Sequence, residues 1–216
     1  MIELITNFVH WILGVLMAFV HWGIDGFGYV GVALMMAIES CNIPLPSELI
    51  MPYAGFLVQQ GEMNLHWASF AGAIGCVLGS LPSYWLGVWG GRPFVEKYGK
   101  FLLVSPKEMD LASEWVQKYG DITFFICRML PIVRTFISLP AGALRAKFTP
   151  FVVYTFVGSL IWCYALAYVG VIFGENLDEF KHLWHKFDAA IAVVILVLGS
   201  WYVWKHIKPF LKKEAA

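Results

Sequence analysis

The residues with the clearest chemistry are two arginines inside an apolar segment. Arg128 and Arg134 are the only charged residues in residues 122–144. An arginine at the centre of a membrane helix costs about 2.5–3.5 kcal/mol on insertion scales, and intramembrane charges mark functional sites. A guanidinium stays charged, and its fork of donors matches phosphate oxygens. The pair therefore predicts an anion site, to which helix N-termini at the broken backbone would add free N–H groups.

A second apolar segment carries two carboxylates. Glu39 and Glu48 flank residues 40–47, where a Pro-Leu-Pro turn interrupts the apolar run. A carboxylate in a low-dielectric site holds its proton more tightly, and a neighbouring arginine opposes this, so both are candidates for proton coupling. Glu48 has an alternative role, because an acid is favoured in the first turn of a helix. A structural alternative pairs Arg128 and Arg134 with the two carboxylates as salt bridges.

The composition indicates an integral membrane protein. The chain has 216 residues, of which 59% are hydrophobic and 14% charged, whereas soluble domains are about 25% charged. A net charge of zero gives no basic field for nucleic acid. Cys41, Cys76, Cys127 and Cys163 lie in apolar segments without a CxxC motif, and we interpret them as small buried side chains. No metal, phosphate-loop or hydrolase motif is recognisable, so we expect no metal, cofactor or enzymatic activity.

The elements around each charged break are short. Residues 27–38 reach roughly 18 Å at about 1.5 Å per residue, less than the roughly 30 Å hydrocarbon core, and residues 49–58 are shorter still. Such pieces predict re-entrant hairpins, whose broken backbone must be buried in protein or line a wet cavity. The residues expected to shape the two hairpins are Pro44, Pro46, Ser47, Gly55, Pro131, Pro140 and Gly142.

The remaining segments complete an all-α membrane domain covering residues 1–216. The first hairpin and its span occupy residues 27–90, and the second pair occupies residues 122–175. Residues 91–121 mix acidic, basic and aromatic side chains, which predicts an amphipathic connector. We further expect a C-terminal span at residues 189–204 and an N-terminal segment, residues 4–23, that either spans or lies in the interface. Asp25 and Gly26 are expected to break the chain after this segment.

Within this connector, Ser105 and Pro106 predict a helix start, since Ser is a good N-cap and Pro suits the first helical position. Trp162 and Tyr164 in the later span are interpreted as packing residues.

The two halves form a weak repeat. A shift of 87 residues places Pro44 on Pro131 and Gly55 on Gly142. The basic C-terminal tail is expected in the cytoplasm, and the acidic residues 175–188 outside, by the positive-inside rule. The hairpins would then enter from opposite faces, as in the inverted repeats of secondary transporters.

The charged motifs resemble the two signatures of the bacterial DedA family, also called the VTT or SNARE-associated domain family. Residues 39–48 followed by PYAGF at 52–56 are similar to the first signature. RMLPIVR at 128–134 followed by PAG at 140–142 is similar to the second. The resemblance implies a transporter with two opposed re-entrant hairpins, and bacterial members are linked to moving undecaprenyl phosphate across the inner membrane.

The resemblance also implies roles for individual residues. Arg128 and Arg134 would bind substrate, and Glu39 would couple protons. Some members place an Asp where this chain has Met51, so Glu48 is assigned the second acidic role.

The leading hypothesis is a proton-coupled flippase for a polyprenyl phosphate in the bacterial inner membrane, with a cytoplasmic C-terminus. Its partners would be the anionic lipid, bulk membrane lipids and protons, and a homo-oligomer is left open. The alternatives are a proton-coupled transporter of a small ion or osmolyte, a less selective phospholipid scramblase, and a membrane enzyme acting on lipid phosphates.

Overall fold

The computed structural model describes residues 2–41, 43, 45–98, 106–130 and 133–174. Those residues form helices without β-strands, which confirms the all-α class for this part of the chain. The helices are α1 (Ile2–Ser40), α2 (Ser47–Gln59), α3 (Leu65–Tyr98), α4 (Pro106–Tyr119), α5 (Ile122–Arg128), α6 (Val133–Phe136), α7 (Ser138–Ala143) and α8 (Phe148–Gly174).

Residues 16–175 form one compact unit, to which the following account refers; the first part of α1 belongs to a second unit. Pro44, Pro131 and the expected span at residues 189–204 lie outside the described residues. Helix α4 begins at Pro106, as the sequence predicts.

Three helical stretches are long and apolar enough to cross a membrane: Gly14–Ser40, Leu65–Gly91 and Phe148–Gly174. Each has 27 residues. Leu65–Gly91 and Phe148–Gly174 each give about 40 Å of helix against a hydrocarbon core of roughly 30 Å, whereas Gly14–Ser40 is broken at Gly28. Their outer faces expose large apolar side chains, as a lipid environment allows. Examples are Leu78, Trp85, Val153, Ile161 and Ile172. The chain is therefore a membrane protein.

Helix α1 reverses direction at Gly28, whose backbone has φ 57° and ψ −130°. A Cβ on Gly31 would overlap the backbone of Gly23, although eight residues of straight helix would separate the two by about 12 Å. Only glycine adopts the backbone conformation of Gly28 without strain. The sequence predicted a break at residues 25–26, and the structure places it slightly later.

The reversal makes a prediction for Gly28. Gly28→Ala should lower the free energy of unfolding by about 1–3 kcal/mol, because a side chain strains this backbone conformation. The matched control is Gly26→Ala, since a Cβ there meets nothing within 4 Å and alanine favours helix. Unfolding of both variants in detergent micelles measures the difference. Equal stability of the two variants would contradict the reversal.

The first charged break separates two helical arms that lie side by side. The first arm is residues 29–40 of α1, and the second is α2. The hydroxyl of Tyr29 accepts a hydrogen bond from the backbone N–H of Asn64 at 2.8 Å, so the first arm starts beside the residues that follow the second arm. Pro46 is extended, with φ −78° and ψ 122°, and α2 begins at Ser47. Proline thus ends the break where the sequence predicts.

The second charged break follows the same plan with shorter arms. Its first arm is α5, which ends at Arg128, and its second arm consists of α6 and α7. Pro140 lies inside α7 and is buried, so it packs within the second arm and is not part of the break. The predicted interruption of residues 122–144 is confirmed.

The second arm of each half packs on the span of the other half through glycines. A Cβ on Gly55 of α2 would overlap the carbonyl of Ala167 in α8. A Cβ on Gly142 of α7 would overlap the carbonyl of Tyr84 in α3. Small residues allow such backbone contact between membrane helices. Gly55 and Gly142 therefore occupy equivalent positions in space as well as in the repeat.

The first arm of each half packs on the span of its own half. Gly75 and Gly79 of α3 lie against the backbones of Ala33 and Ala37. In the second half, a Cβ on Gly158 of α8 would overlap the Cβ of Arg128. The packing thus follows the repeat.

Cys76 of α3 and Cys163 of α8 are also related by the shift of 87 residues. Both side chains are buried and belong to one cluster. Cys127 is buried as well, and Cys41 is half-buried.

Candidate functional site

The two charged breaks meet at a buried ion pair. Nη2 of Arg134 in α6 donates to Oε1 of Glu39 at 2.7 Å and to Oε2 at 2.6 Å. Glu39 lies at the end of the first arm, 95 residues away in sequence. Arg134 is 3% exposed and Glu39 is 4% exposed. The structural alternative, in which the arginines pair with the carboxylates, thus holds for Arg134 and Glu39.

Arg128 is held differently. Its Nη2 donates to Oγ of Ser80 in α3 at 2.5 Å and to Oγ of Ser138 in α7 at 3.0 Å. The side chain is 2% exposed, and no carboxylate within the described part of the chain pairs with it. The structural alternative, in which both arginines pair with carboxylates, therefore does not hold for Arg128, because its partners are serine hydroxyls.

Glu48 lies in the first turn of α2, as its alternative role of a first-turn acid requires. Its Oε2 accepts a hydrogen bond from Oγ of Ser47 at 3.2 Å. The side chain is half-buried. A first-turn acid next to the helix N-terminus is electrostatically favourable, and the coupling role of Glu48 stays a prediction.

Helix α8 lies along one side of the charged centre, by which we mean Glu39, Arg128 and Arg134. The ring of Trp162 lies 5.4 Å from Cζ of Arg134, a cation–π distance. One turn earlier, Gly158 leaves room for the side chain of Arg128. Both arginines thus face the same helix. Within the described residues, the carboxylate of Glu39 pairs with Arg134, and no carboxylate pairs with Arg128.

The sequence interpretation missed Ser80, Ser138 and the position of Trp162. Ser80 was detectable in principle, because a serine near the middle of an apolar span needs a polar partner. Its hydroxyl also donates to the carbonyl of Cys76 at 2.5 Å. Ser138 and Trp162 carry no such signal, since the side of the helix that each presents to the arginines depends on the packing.

Ser80 makes a prediction for the stability of the charged centre. Ser80→Ala should lower the free energy of unfolding by about 1.5–3 kcal/mol, because it removes a hydrogen bond to a buried charge. Ser69→Ala is the control, since Ser69 is equally buried on the same helix and its Oγ has no hydrogen-bond partner within the described residues. Unfolding in detergent measures both. If the two variants lose the same stability, Ser80 does not anchor Arg128.

Comparison with known proteins decides the family. The VTT domain model matches residues 45–172, which is more than half of the chain. The chain belongs to the VTT domain family. The predicted family resemblance is therefore confirmed. No solved protein structure matches this VTT protein significantly.

Three curated relatives of this VTT protein cover most of its length. Undecaprenyl phosphate transporter A of Bacillus subtilis strain 168 is 34% identical over 88% of this chain and 94% of its own. The uncharacterized membrane protein YkoX of the same organism is 35% identical over 81% of this chain and 77% of its own. An alkaline phosphatase-like protein of Lactococcus lactis is 34% identical over 87% of this chain and 88% of its own.

Met51 stands where the family resemblance would allow an acid. Its side chain is fully buried between α2 and α3, and its Sδ lies next to Gly72. This position is therefore apolar in the present chain, and Glu48, one turn earlier in α2, is the nearest acidic residue in sequence.

Proposed function

We propose that this protein is a polyprenyl-phosphate flippase of the bacterial inner membrane, with undecaprenyl phosphate as its substrate. The observation that carries the proposal is Arg128, a buried guanidinium whose described partners are the neutral hydroxyls of Ser80 and Ser138. A buried charge without a counter-charge is unfavourable, and a phosphate supplies both the charge and the acceptors. The similarity to a protein named undecaprenyl phosphate transporter A supports this choice of anion.

We further propose that the two charged breaks are the tips of re-entrant hairpins that enter from opposite membrane faces. The halves, residues 27–90 and 122–175, would form an inverted repeat within one membrane domain, joined by a connector at residues 91–121. The reciprocal packing of α2 on α8 and of α7 on α3 supports this arrangement. The basic tail favours a cytoplasmic C-terminus.

In this mechanism the headgroup phosphate binds between Arg128 and Arg134, while the isoprenoid tail stays in the lipid. Phosphate competes with Glu39 for the guanidinium of Arg134, and the released carboxylate takes up a proton. Proton binding is thereby coupled to substrate binding. Glu48 is the second candidate for coupling, and its place in the first turn of α2 gives it a structural role as well.

Transport without chemical conversion is part of the proposal. One relative carries the name alkaline phosphatase-like protein, so the enzyme alternative needs a direct test. Purified protein incubated with undecaprenyl phosphate should release no inorganic phosphate. Release at a rate that depends on Arg128 would overturn the transporter assignment.

The cellular test uses Arg128→Gln in bacteria that lack related proteins. Glutamine keeps hydrogen-bonding capacity but removes the charge, so undecaprenyl phosphate should accumulate on the outer leaflet, as measured by a membrane-impermeant phosphate reagent. Lys147→Gln is the control, because Lys147 is exposed. Normal recycling by a folded, membrane-inserted Arg128→Gln protein would contradict the proposal.

A further inference from the structure

One face of α8 carries buried polar groups that helix packing does not use. Thr155, Ser159 and Trp162 are spaced four and three residues apart and so lie on one side of the helix. Thr155 and Ser159 are at most 1% exposed. Thr155 Oγ1, Ser159 Oγ and the indole Nε1 of Trp162 are buried without a hydrogen-bond partner within the described residues. Native proteins leave few buried polar groups in this state.

This face points at the two arginines. Gly158 belongs to the same face and contacts the Cβ of Arg128. The ring of Trp162 lies 5.4 Å from Cζ of Arg134. The Nε of Arg128 is itself buried and unpartnered, although its Nη2 is fixed by two serines. The unpartnered polar atoms of α8 therefore lie on the side of the helix that faces the two arginines, and one of these, Arg128, has an unpartnered Nε.

The types of these groups define the ligand that would satisfy them. An indole N–H and a guanidinium Nε–H only donate, whereas a serine hydroxyl donates or accepts. A ligand that satisfies Trp162 and Arg128 together must present acceptor oxygens, and a phosphate monoester presents three. An ammonium group supplies no acceptor, and an alcohol supplies a single uncharged acceptor oxygen.

The repeat gives an independent reason to assign these groups to a ligand. The shift of 87 residues relates Ser159 to Gly72 and Ser138 to Met51. In the first half, Gly72 packs against Met51 in an apolar contact. Both equivalent positions in the second half are polar, and Ser138 already binds Arg128. At these two pairs of positions, hydroxyls are thus found only in the half that carries the arginines, where packing alone would have accepted apolar residues.

Resting on the proposed function, we infer that Ser159 and Trp162 form a further wall of the lipid-phosphate site. Their hydroxyl and indole N–H donate hydrogen bonds to phosphate oxygens that Arg128 and Arg134 contact from the other side. Ser159 and Trp162 would then be binding residues that select a phosphate headgroup, and their assignment as packing residues of a span would be incomplete.

The first test measures the affinity of purified protein for farnesyl phosphate in detergent micelles. Ser159→Ala and Trp162→Phe should each weaken binding about three- to tenfold, as expected for loss of one hydrogen bond. The controls are Ser69→Ala and Trp67→Phe on α3, at residues about 16 Å or more along the helix from Ser80. Farnesol, which lacks the phosphate, should not distinguish the variants.

The second test observes the indole N–H directly, so that a folding defect is not mistaken for lost binding. Protein labelled with ¹⁵N at tryptophan gives an indole signal for Trp162, assigned by its absence in Trp162→Phe. Farnesyl phosphate should move this signal downfield, and farnesol should leave it in place. The signal of Trp67 should respond to neither compound.

The outcomes separate this inference from the proposed function. If farnesyl phosphate binds in an Arg134-dependent manner but Ser159→Ala and the Trp162 signal are unaffected, the wall on α8 is wrong and the flippase proposal stands. If wild-type protein does not bind farnesyl phosphate, both fall. Reduced affinity together with a shifted Trp162 signal supports both.

Discussion

Arg134→Ala should lower the free energy of unfolding by about 3–5 kcal/mol, because it leaves the buried carboxylate of Glu39 without its counter-charge. Both oxygens of Glu39 accept from Arg134, and both residues are at most 4% exposed. Glu39→Gln should be less costly, since glutamine keeps an acceptor for the guanidinium. Equilibrium unfolding in detergent micelles, followed by near-ultraviolet circular dichroism, measures the loss.

A double variant separates stability from transport. Glu39→Gln combined with Arg134→Met removes both charges, so most of the stability lost in Arg134→Ala should return. Transport should remain absent, because neither the cation nor the carboxylate is present. Lys147→Ala, at an exposed position, should change stability by no more than about 0.5 kcal/mol. Wild-type stability of the Arg134→Ala single variant would show that the pair does not form.

Gly142→Ala should destabilise the protein by about 1–3 kcal/mol, and Gly142→Val by more. A Cβ at this position would overlap the carbonyl of Tyr84, so α7 would have to move away from α3. Gly55→Ala should have a similar effect through the carbonyl of Ala167. Thermal unfolding of the purified variants measures both.

Gly26→Ala is the reference for these substitutions. It is a glycine in a helix, but a Cβ there meets nothing within 4 Å, so the variant should be as stable as wild type or slightly more stable. A Gly142→Ala protein as stable as Gly26→Ala would contradict the close contact of the two halves.

The sequence predicted the parts of the fold that depend on local patterns. Proline between charged residues marks the breaks, and the Ser-Pro dipeptide marks the start of α4. The apolar spans follow from length and composition. The predicted break at Asp25 and Gly26 lies a few residues before the observed reversal at Gly28. Asp25, Gly26 and Gly28 are all plausible helix breakers, and packing selects one of them.

The partners of the charged residues were less predictable. The structural alternative paired the two arginines with Glu39 and Glu48 without assigning partners, and Arg134 pairs with Glu39. Arg128 has no carboxylate partner among the described residues, and two serines from α3 and α7 bind it instead. A pairing of charges follows from electrostatics alone, whereas a serine hydroxyl reaches an arginine only if helix rotation and register bring it there. Neither quantity is encoded in a local pattern.

The glycine contacts show what a repeat adds. The shift that aligns Gly55 with Gly142 suggests equivalent roles, but it does not say which helix each one touches. In the structure each contacts the span of the other half. This exchange brings the two breaks together and so forms the charged centre.

The most direct test of the central proposal is translocation of labelled undecaprenyl phosphate in vesicles that contain only the purified protein and phospholipid. Wild-type protein should move the lipid phosphate between leaflets without any soluble solute, and should leave undecaprenol and phosphatidylcholine in place. The Glu39→Gln, Arg134→Met protein should be inactive. Ion flux without movement of the lipid phosphate, or equal movement by the double variant, would contradict the assignment of this buried charged centre to a lipid phosphate.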